Sequence, residues 1–221
     1  MRPSSTTISS AILFTLLAIP APVRAQQASL NTEVQINKIE SGFLLSPKIT
    51  AAGYVKRATV TGRPASWLEV EVTFERNTKE PKIAEELTFN YYVLLNNEAF
   101  TKDKKKTMLT ASVIHVNVPQ EKGLHSVVYV SPRTLAAFFD GKPPVNAQQT
   151  VTDVGVTISG KNGLLAIKGL NPSSVKGDKG WWDNTNANYT PTPGALLNKN
   201  ETPFAPLEWD YYEAVKSKSG N

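Results

Sequence analysis

Three features of the sequence predict an all-β sandwich. Apolar and polar residues alternate along its middle, turn-forming tetrads separate those runs, and helical periodicity is scarce. "WLEVEVTF" puts Leu68, Val70, Val72 and Phe74 on one face, with Glu69, Glu71 and Thr73 on the other. "ELTFNYYVLL" repeats the pattern with Leu87, Phe89, Tyr91, Val93 and Leu95. In "MLTASVIHVNV" the apolar face reads as Ile114, Val116 and Val118. "GLHSVVYV" follows after "PQEKG", which predicts a hairpin with a longer loop. "TVTDVGVTIS" and "GLLAIKGL" predict a second hairpin around the turn "GKNG". Earlier, "TEVQINKIE" and "GYVKRATVTG" are expected to be strands. One short helix is expected in "SPRTLAAFFDG", with Ser131 as N-cap, Pro132 in the first turn and Gly141 at the stop. A helical turn or two is expected near the end, in "PLEWDYYEAVKSK". Roughly seven to nine strands with turns about every 8–12 residues imply two antiparallel sheets packed face to face. The leading architecture is an immunoglobulin-like sandwich without the Cys–Trp–Cys hallmark of antibody domains.

The first residues are expected to stand outside this fold. Arg2 precedes the apolar run "AILFTLLAI" (Ala11 to Ile19), far short of the about 20 apolar residues of a spanning helix. With Val23 and Ala25 at −3 and −1, the run reads as a secretion signal over residues 1–25, and the mature chain is expected to start at Gln26. The expected compartment is therefore the periplasm or the outer cell surface, with no membrane anchor in the mature chain. The 221 residues include no cysteine, so an exported chain of this kind must stand on packing alone, as in a bacterial envelope. The formal charge of +5 includes Arg2 and Arg24, and no acid lies in the leader, so the mature chain carries +3. That is a poor basis for nucleic-acid binding.

Residues 26–170 are expected to form the sandwich and residues 171–221 an ordered, irregular extension. Composition alone would assign the Pro- and Asn-rich stretch to a linker. Yet it holds three of the four tryptophans, Trp181, Trp182 and Trp209. Each exposed ring would forgo a burial worth about 2–3 kcal/mol. Phe204 and Trp209 are expected to pack the extension onto the sandwich. In "GWWDN", adjacent rings of an extended segment point to opposite sides, so one ring is expected to face inward and the other outward. The outward ring is a candidate for a protein interface, or for stacking on a sugar with Asp183, Asn184, Asn186 and Asn188 bonding its hydroxyls.

Catalytic signatures are absent from the sequence: it has no nucleophile elbow, HExxH, P-loop, dinucleotide fingerprint or EF-hand loop. No cofactor and no metal site are expected. His115 and His125 fall on the two arms of the expected hairpin, where a register pairing Val118 with Lys122 would set them opposite each other. Two ligands without a third histidine or a cysteine do not make a metal site. Glu69 and Glu71 alternate with strand apolars, as the solvated face of a sheet requires, and Glu85 and Glu86 form the other carboxylate pair. "KDKKK" (Lys102 to Lys106) reads as a solvated tip between strands, where lysines also discourage edge pairing.

The wording of "LLNKNETPFAPLEWDYYEAV" (196–215), with "GWWDN", the leader and the β-rich body, resembles a small family of exported proteins from mucus-dwelling Gram-negative bacteria. In that family an immunoglobulin-like domain is encoded beside type IV pilus-like machinery. The resemblance implies a non-enzymatic accessory role in a pilus or adhesion system, with envelope or pilus-assembly proteins as partners. A glycan-binding module using the Trp181/Trp182 loop is the alternative. The chain does not read as a major pilin. Cleavage after Gly42 would put Pro47 where a pilin carries glutamate, and no long apolar helix follows.

Overall fold

A computed structural model describes residues 33–47, 66–78, 81–142, 144–184 and 188–217. The expected signal segment, the strand expected in "GYVKRATVTG" and Asn186 lie outside these residues. In chain order the strands are β1 (Val34–Leu45), β2 (Ser66–Arg76), β3 (Ile83–Leu95), β4 (Lys106–Pro119), β5 (Lys122–Val130), β6 (Val151–Gly160), β7 (Gly163–Gly169), β8 (Val175–Lys176), β9 (Lys179–Gly180), β10 (Tyr189–Pro193) and β11 (Leu196–Asn198). One sheet has the order β1-β2-β5-β11 and the other β10-β4-β3-β6-β7, while β8 and β9 pair by themselves. All pairs are antiparallel except β10 with β4.

The period-two pattern explains the core. Leu68, Val70, Val72 and Phe74 point from β2 into the sandwich, and Leu87, Phe89, Tyr91, Val93 and Leu95 meet them from β3, all buried. The rings of Phe74 and Phe89 lie 4.9 Å apart at 64°, joining the two sheets edge to face. The hairpin of β6 and β7 turns between Gly160 and Gly163, as "GKNG" predicts. The helix α1 (Pro132–Phe138) begins where expected, with the Ser131 hydroxyl accepting from the Thr134 N–H at 3.2 Å. It ends at Phe138 with Phe139 as C-cap. The expected stop residue Gly141 closes the exit from just beyond, at a φ of +75° that suits glycine and with its N–H donating to the Ala136 carbonyl at 2.8 Å. A further single turn, α2 (Ala147–Thr150), is capped by the Asn146 side chain. "KDKKK" caps a solvated tip before β4, with Lys102 to Lys105 exposed.

Two expectations about β4 need correction. β4 and β5 do not form a hairpin: β4 pairs with β3 and β10, β5 with β2 and β11, and the link through Gln120 and Glu121 crosses between sheets. Backbone bonds pin that link to both layers, from Gln120 N–H to the Lys82 carbonyl and from Arg76 N–H to the Glu121 carbonyl, each 2.9 Å. His115 and His125 are therefore not cross-strand neighbours. The inward face of β4 is also the opposite of the one expected for most of its length. Val113 and His115 face the core, and only beyond Asn117, at φ +56°, does Val118 return to it. A residue in the left-handed region breaks the two-residue period, which resets the face.

The extension contains regular structure that its composition conceals. β10 adds to β4 and β11 to β5, so the tail supplies one edge strand to each sheet on the same side of the sandwich. Val215 then bridges to His115, with Val116 N–H donating to the Ala214 carbonyl at 3.0 Å and Lys216 N–H to the Ile114 carbonyl at 2.8 Å. These elements escape a period-two reading because β10 carries Pro191 and Pro193, tolerable only on an edge, and β11 is three residues long. The segment expected to make a helical turn or two near the end instead runs as turns into this bridge.

Candidate functional site

The tryptophan pair sits in a 3₁₀ turn, Trp181–Asp183, rather than in extended chain. Trp182 is 8% exposed and stacks on Tyr92 at 4.9 Å with planes 8° apart. Its ring fills the space that the missing side chain of Gly155 leaves beside Tyr92, since a Cβ on Gly155 would fall 1.9 Å from the indole. Trp181 is half-buried, edge-on to Trp182 at 5.5 Å and to Tyr189 at 5.6 Å. The Tyr189 hydroxyl lies 2.9 Å from the Trp182 carbonyl and 3.1 Å from those of Trp181 and Asn184, three acceptors around one proton. The Asp183 carboxylate accepts the Gly180 N–H at 2.8 Å and so closes the turn. Asp183 and Asn184 are exposed, but beside them Trp182 has no open face on which a sugar ring could stack.

A second aromatic cluster lies where the tail crosses the outer face of the β1-β2-β5-β11 sheet. Phe204 is buried, stacked on Tyr129 at 4.7 Å and edge-on to Trp67 at 5.7 Å. Trp209, expected to pack inward, is instead 75% exposed. Turns carry residues 205–211 outward between two anchors, Phe204 and the Val215 bridge. Tyr211 stacks on His125 at 4.0 Å, and its hydroxyl donates to Glu71 at 3.0 Å. His125 Nδ1 lies 2.6 Å from the same Glu71 oxygen. Glu69 and Glu71 are thus not on a bare solvated face: the tail half-covers both. Burial raises the Glu69 carboxyl above its ordinary range, against a hydrogen bond with Tyr129 that lowers it. Of the other carboxylate pair, Glu86 is exposed and ion-paired with Lys216 from the tail.

His115 joins three layers of chain. The Tyr91 hydroxyl donates to Ser126 Oγ at 2.6 Å, and Ser126 Oγ lies 2.6 Å from His115 Nε2. His115 Nδ1 lies 3.1 Å from the Glu213 carbonyl. One tautomer satisfies every partner: Ser126 donates to Nε2, and Nδ1–H donates to the tail. Burial lowers the His115 pKa to about 4, outweighing the backbone hydrogen bonds at Glu213 and Ala214 that act to raise it. Ser126 is fully buried, out of reach of a substrate, so in this structure the serine–histidine pair ties the sheets and tail together. Among the described residues, no group of three or more His, Asp or Glu could hold a metal ion. Among them, too, no helix is long and apolar enough to cross a membrane.

The side of the sandwich opposite β10 and β11 is built differently, with only the start of the extension, around Asn171 and Ser174, resting against the end of β7. Among the described residues, β1 and β7 end their sheets there, facing one another across a groove of about 800 Å³. Val34, Gln35, Ile36, Leu165, Ile167 and Lys168 line it. Lys168 Nζ spans to β1, donating to the Asn37 carbonyl at 2.7 Å and the Ile36 carbonyl at 3.1 Å. Two open sheets packed face to face have edge strands by construction. Deciding which strands they are required the pairing of the tail.

A family model matches residues 25–219. The chain belongs to that family. A crystal structure of a protein from Akkermansia muciniphila has the same fold, with a TM-score of 0.69 at 23% identity over 85% of this chain and 94% of that one. Its source is a mucus-dwelling bacterium, the kind that the wording of the tail implied. No curated protein matches the sequence.

Proposed function

We propose that this chain is a non-enzymatic, exported protein that binds other envelope proteins as an accessory component of a type IV pilus-like or adhesion assembly. The observation that carries the binding mode is the asymmetry of the sandwich edges. On one side the tail occupies β4 and β5 with a proline-bearing strand and a three-residue strand, both poor templates for further pairing. On the other side, among the described residues, no further strand pairs with β1 (12 residues) or β7 (seven). Apolar Ile36, Leu165 and Ile167 lie between them beside the Lys168 bridge. A partner strand laid along such an edge gains affinity from backbone hydrogen bonds and specificity from alternate side chains. The pilus or adhesion setting draws its support from the wording of the tail, and the compartment, periplasm or outer surface, from the leader.

Edge lysines test the reading without touching the core. Gln35 is exposed and Ile167 half-exposed, so Gln35→Lys with Ile167→Lys is expected to change stability by no more than about 0.5 kcal/mol per site. The double variant is expected to melt like wild type and to lose the pilus or adhesion proteins that wild type captures from its own envelope fraction. In that fraction the mature chain is expected to begin at Gln26. Capture of the same proteins by the double variant would overturn the edge mechanism.

A further inference from the structure

We propose that the groove beside Trp209 binds a neutral glycan, with the indole as stacking platform for a pyranose ring. The inference is independent of the edge-strand reading. The groove encloses about 590 Å³, within the range of small-molecule sites. Its walls come from the tail and from the β4–β5 side of the sandwich, and include Trp209, Tyr212, Lys199, Asn200 and Glu213.

Trp209 keeps 75% of its surface exposed although Phe204 and Val215 on either side hold the tail down. An indole left in water on a segment anchored at both ends is an unused flat apolar surface, and the axial C–H face of a pyranose matches it. One face of the indole meets a cation, which leaves the other for the sugar: Lys199, 6% exposed, holds Nζ over it, 5.8 Å from the Trp209 ring and 5.6 Å from the Tyr212 ring. Its ammonium donates to the Ala205 carbonyl at 3.2 Å, and an ammonium has three donors. The Asn200 amide both donates and accepts, and the Glu213 carboxylate accepts. Sugar hydroxyls do both as well, so this mixed set suits them.

The same geometry argues against other ligands. The charged residues that line the groove are Lys199 and Glu213, and Glu208 and Asp210 flank Trp209. Nearby Lys216 is drawn off to Glu86, so among the described residues no surplus of cations is left to hold sialylated or sulfated sugars. A peptide that adds a strand would need a free edge, and here the tail already occupies the edges of β4 and β5 through β10, β11 and the Val215 bridge. A proline-rich peptide, which docks on aromatic rings without one, is the competitor that the experiment sets against the sugar.

Tryptophan emission of the full mature chain is the readout, titrated with a panel of neutral oligosaccharides of hexoses and N-acetylhexosamines up to ~10 mM, a concentration at which even weak sites fill. A sialylated trisaccharide and a proline-rich peptide form separate arms. Wild type and Trp181→Ala are expected to give a saturable change with at least one neutral sugar. Trp209→Ala, expected to melt like wild type, is expected to abolish it, and Asn200→Ala to weaken binding about tenfold, the loss of one good hydrogen bond. A flat titration across the neutral panel overturns the proposal. So does a response that survives Trp209→Ala, or one given only by the sialylated sugar or the peptide.

Discussion

Trp182→Ala is expected to destabilise the protein by about 3–5 kcal/mol, the usual cost of removing a buried tryptophan and leaving its cavity. For a chain of this size that corresponds to roughly 10 °C in melting temperature. The ring lies between Tyr92 and the backbone of Gly155, so its loss strips one contact surface from the β3–β6 sheet and frees the turn that leads into β10. Gly155→Ala attacks the same contact from the other side. Its methyl would overlap the indole and force it out, at a cost of about 1–3 kcal/mol. Trp209→Ala serves as the control, since an exposed ring contributes little to folding and its removal is expected to shift stability by less than about 0.5 kcal/mol. Thermal melts of the three variants decide the matter. Equal melting of the Trp182 and Trp209 variants would mean that the pair does not fasten the tail.

Acid is expected to weaken the fold through His115. Its pKa falls from 6.5 when unfolded to about 4 in the folded state, so between those values the unfolded chain binds the proton and the folded chain does not. Stability from this residue is complete above pH 6.5, declines as the pH falls toward 4, and is lost below that. The total is about 3 kcal/mol. Glu69 and Glu213 act in the opposite direction: burial raises both carboxyl groups, so they bind protons more readily when folded. The His115 contribution is therefore read as a difference. Denaturant unfolding of wild type and His115→Gln at intervals from pH 7 to pH 4 is expected to give curves that converge as the pH falls. The glutamine amide keeps one donor and one acceptor for Glu213 and Ser126 but cannot take up the proton. Parallel curves would show that His115 is not the titrating group.

The fold class was legible because it rests on a local signal. Each of β2 and β3 shows its inward face as every second residue, and each sheet buries that face whatever its neighbour is. Ser131 and Gly141 mark the ends of α1 for the same reason, since capping is settled within a few residues of chain. The presence of large aromatics in a polar tail pointed, again locally, to an ordered extension.

What failed were statements about partners. "PQEKG" between two apolar runs reads equally well as a hairpin loop or as a crossover between layers, and only the bonds from Lys82 and Arg76 choose the crossover. His115 looked solvent-facing because Asn117 shifts the period by one residue, a backbone event that residue type does not announce. The two edge strands of the tail are too short or too rich in proline to carry a period of their own, and they become strands because β4 and β5 offer them unpaired backbone. For the same reason the sequence left open whether Trp182 turns inward and wrongly sent Trp209 inward. One meets a glycine that leaves room beside a tyrosine on the sheet, and the other does not. Alternation, caps and composition are properties of neighbouring residues, so the sequence by itself determined the class and the ordered tail. Which edges are closed, which ring is buried and which histidine is withdrawn from water depend on residues far apart in the chain, and only the tertiary structure decided them.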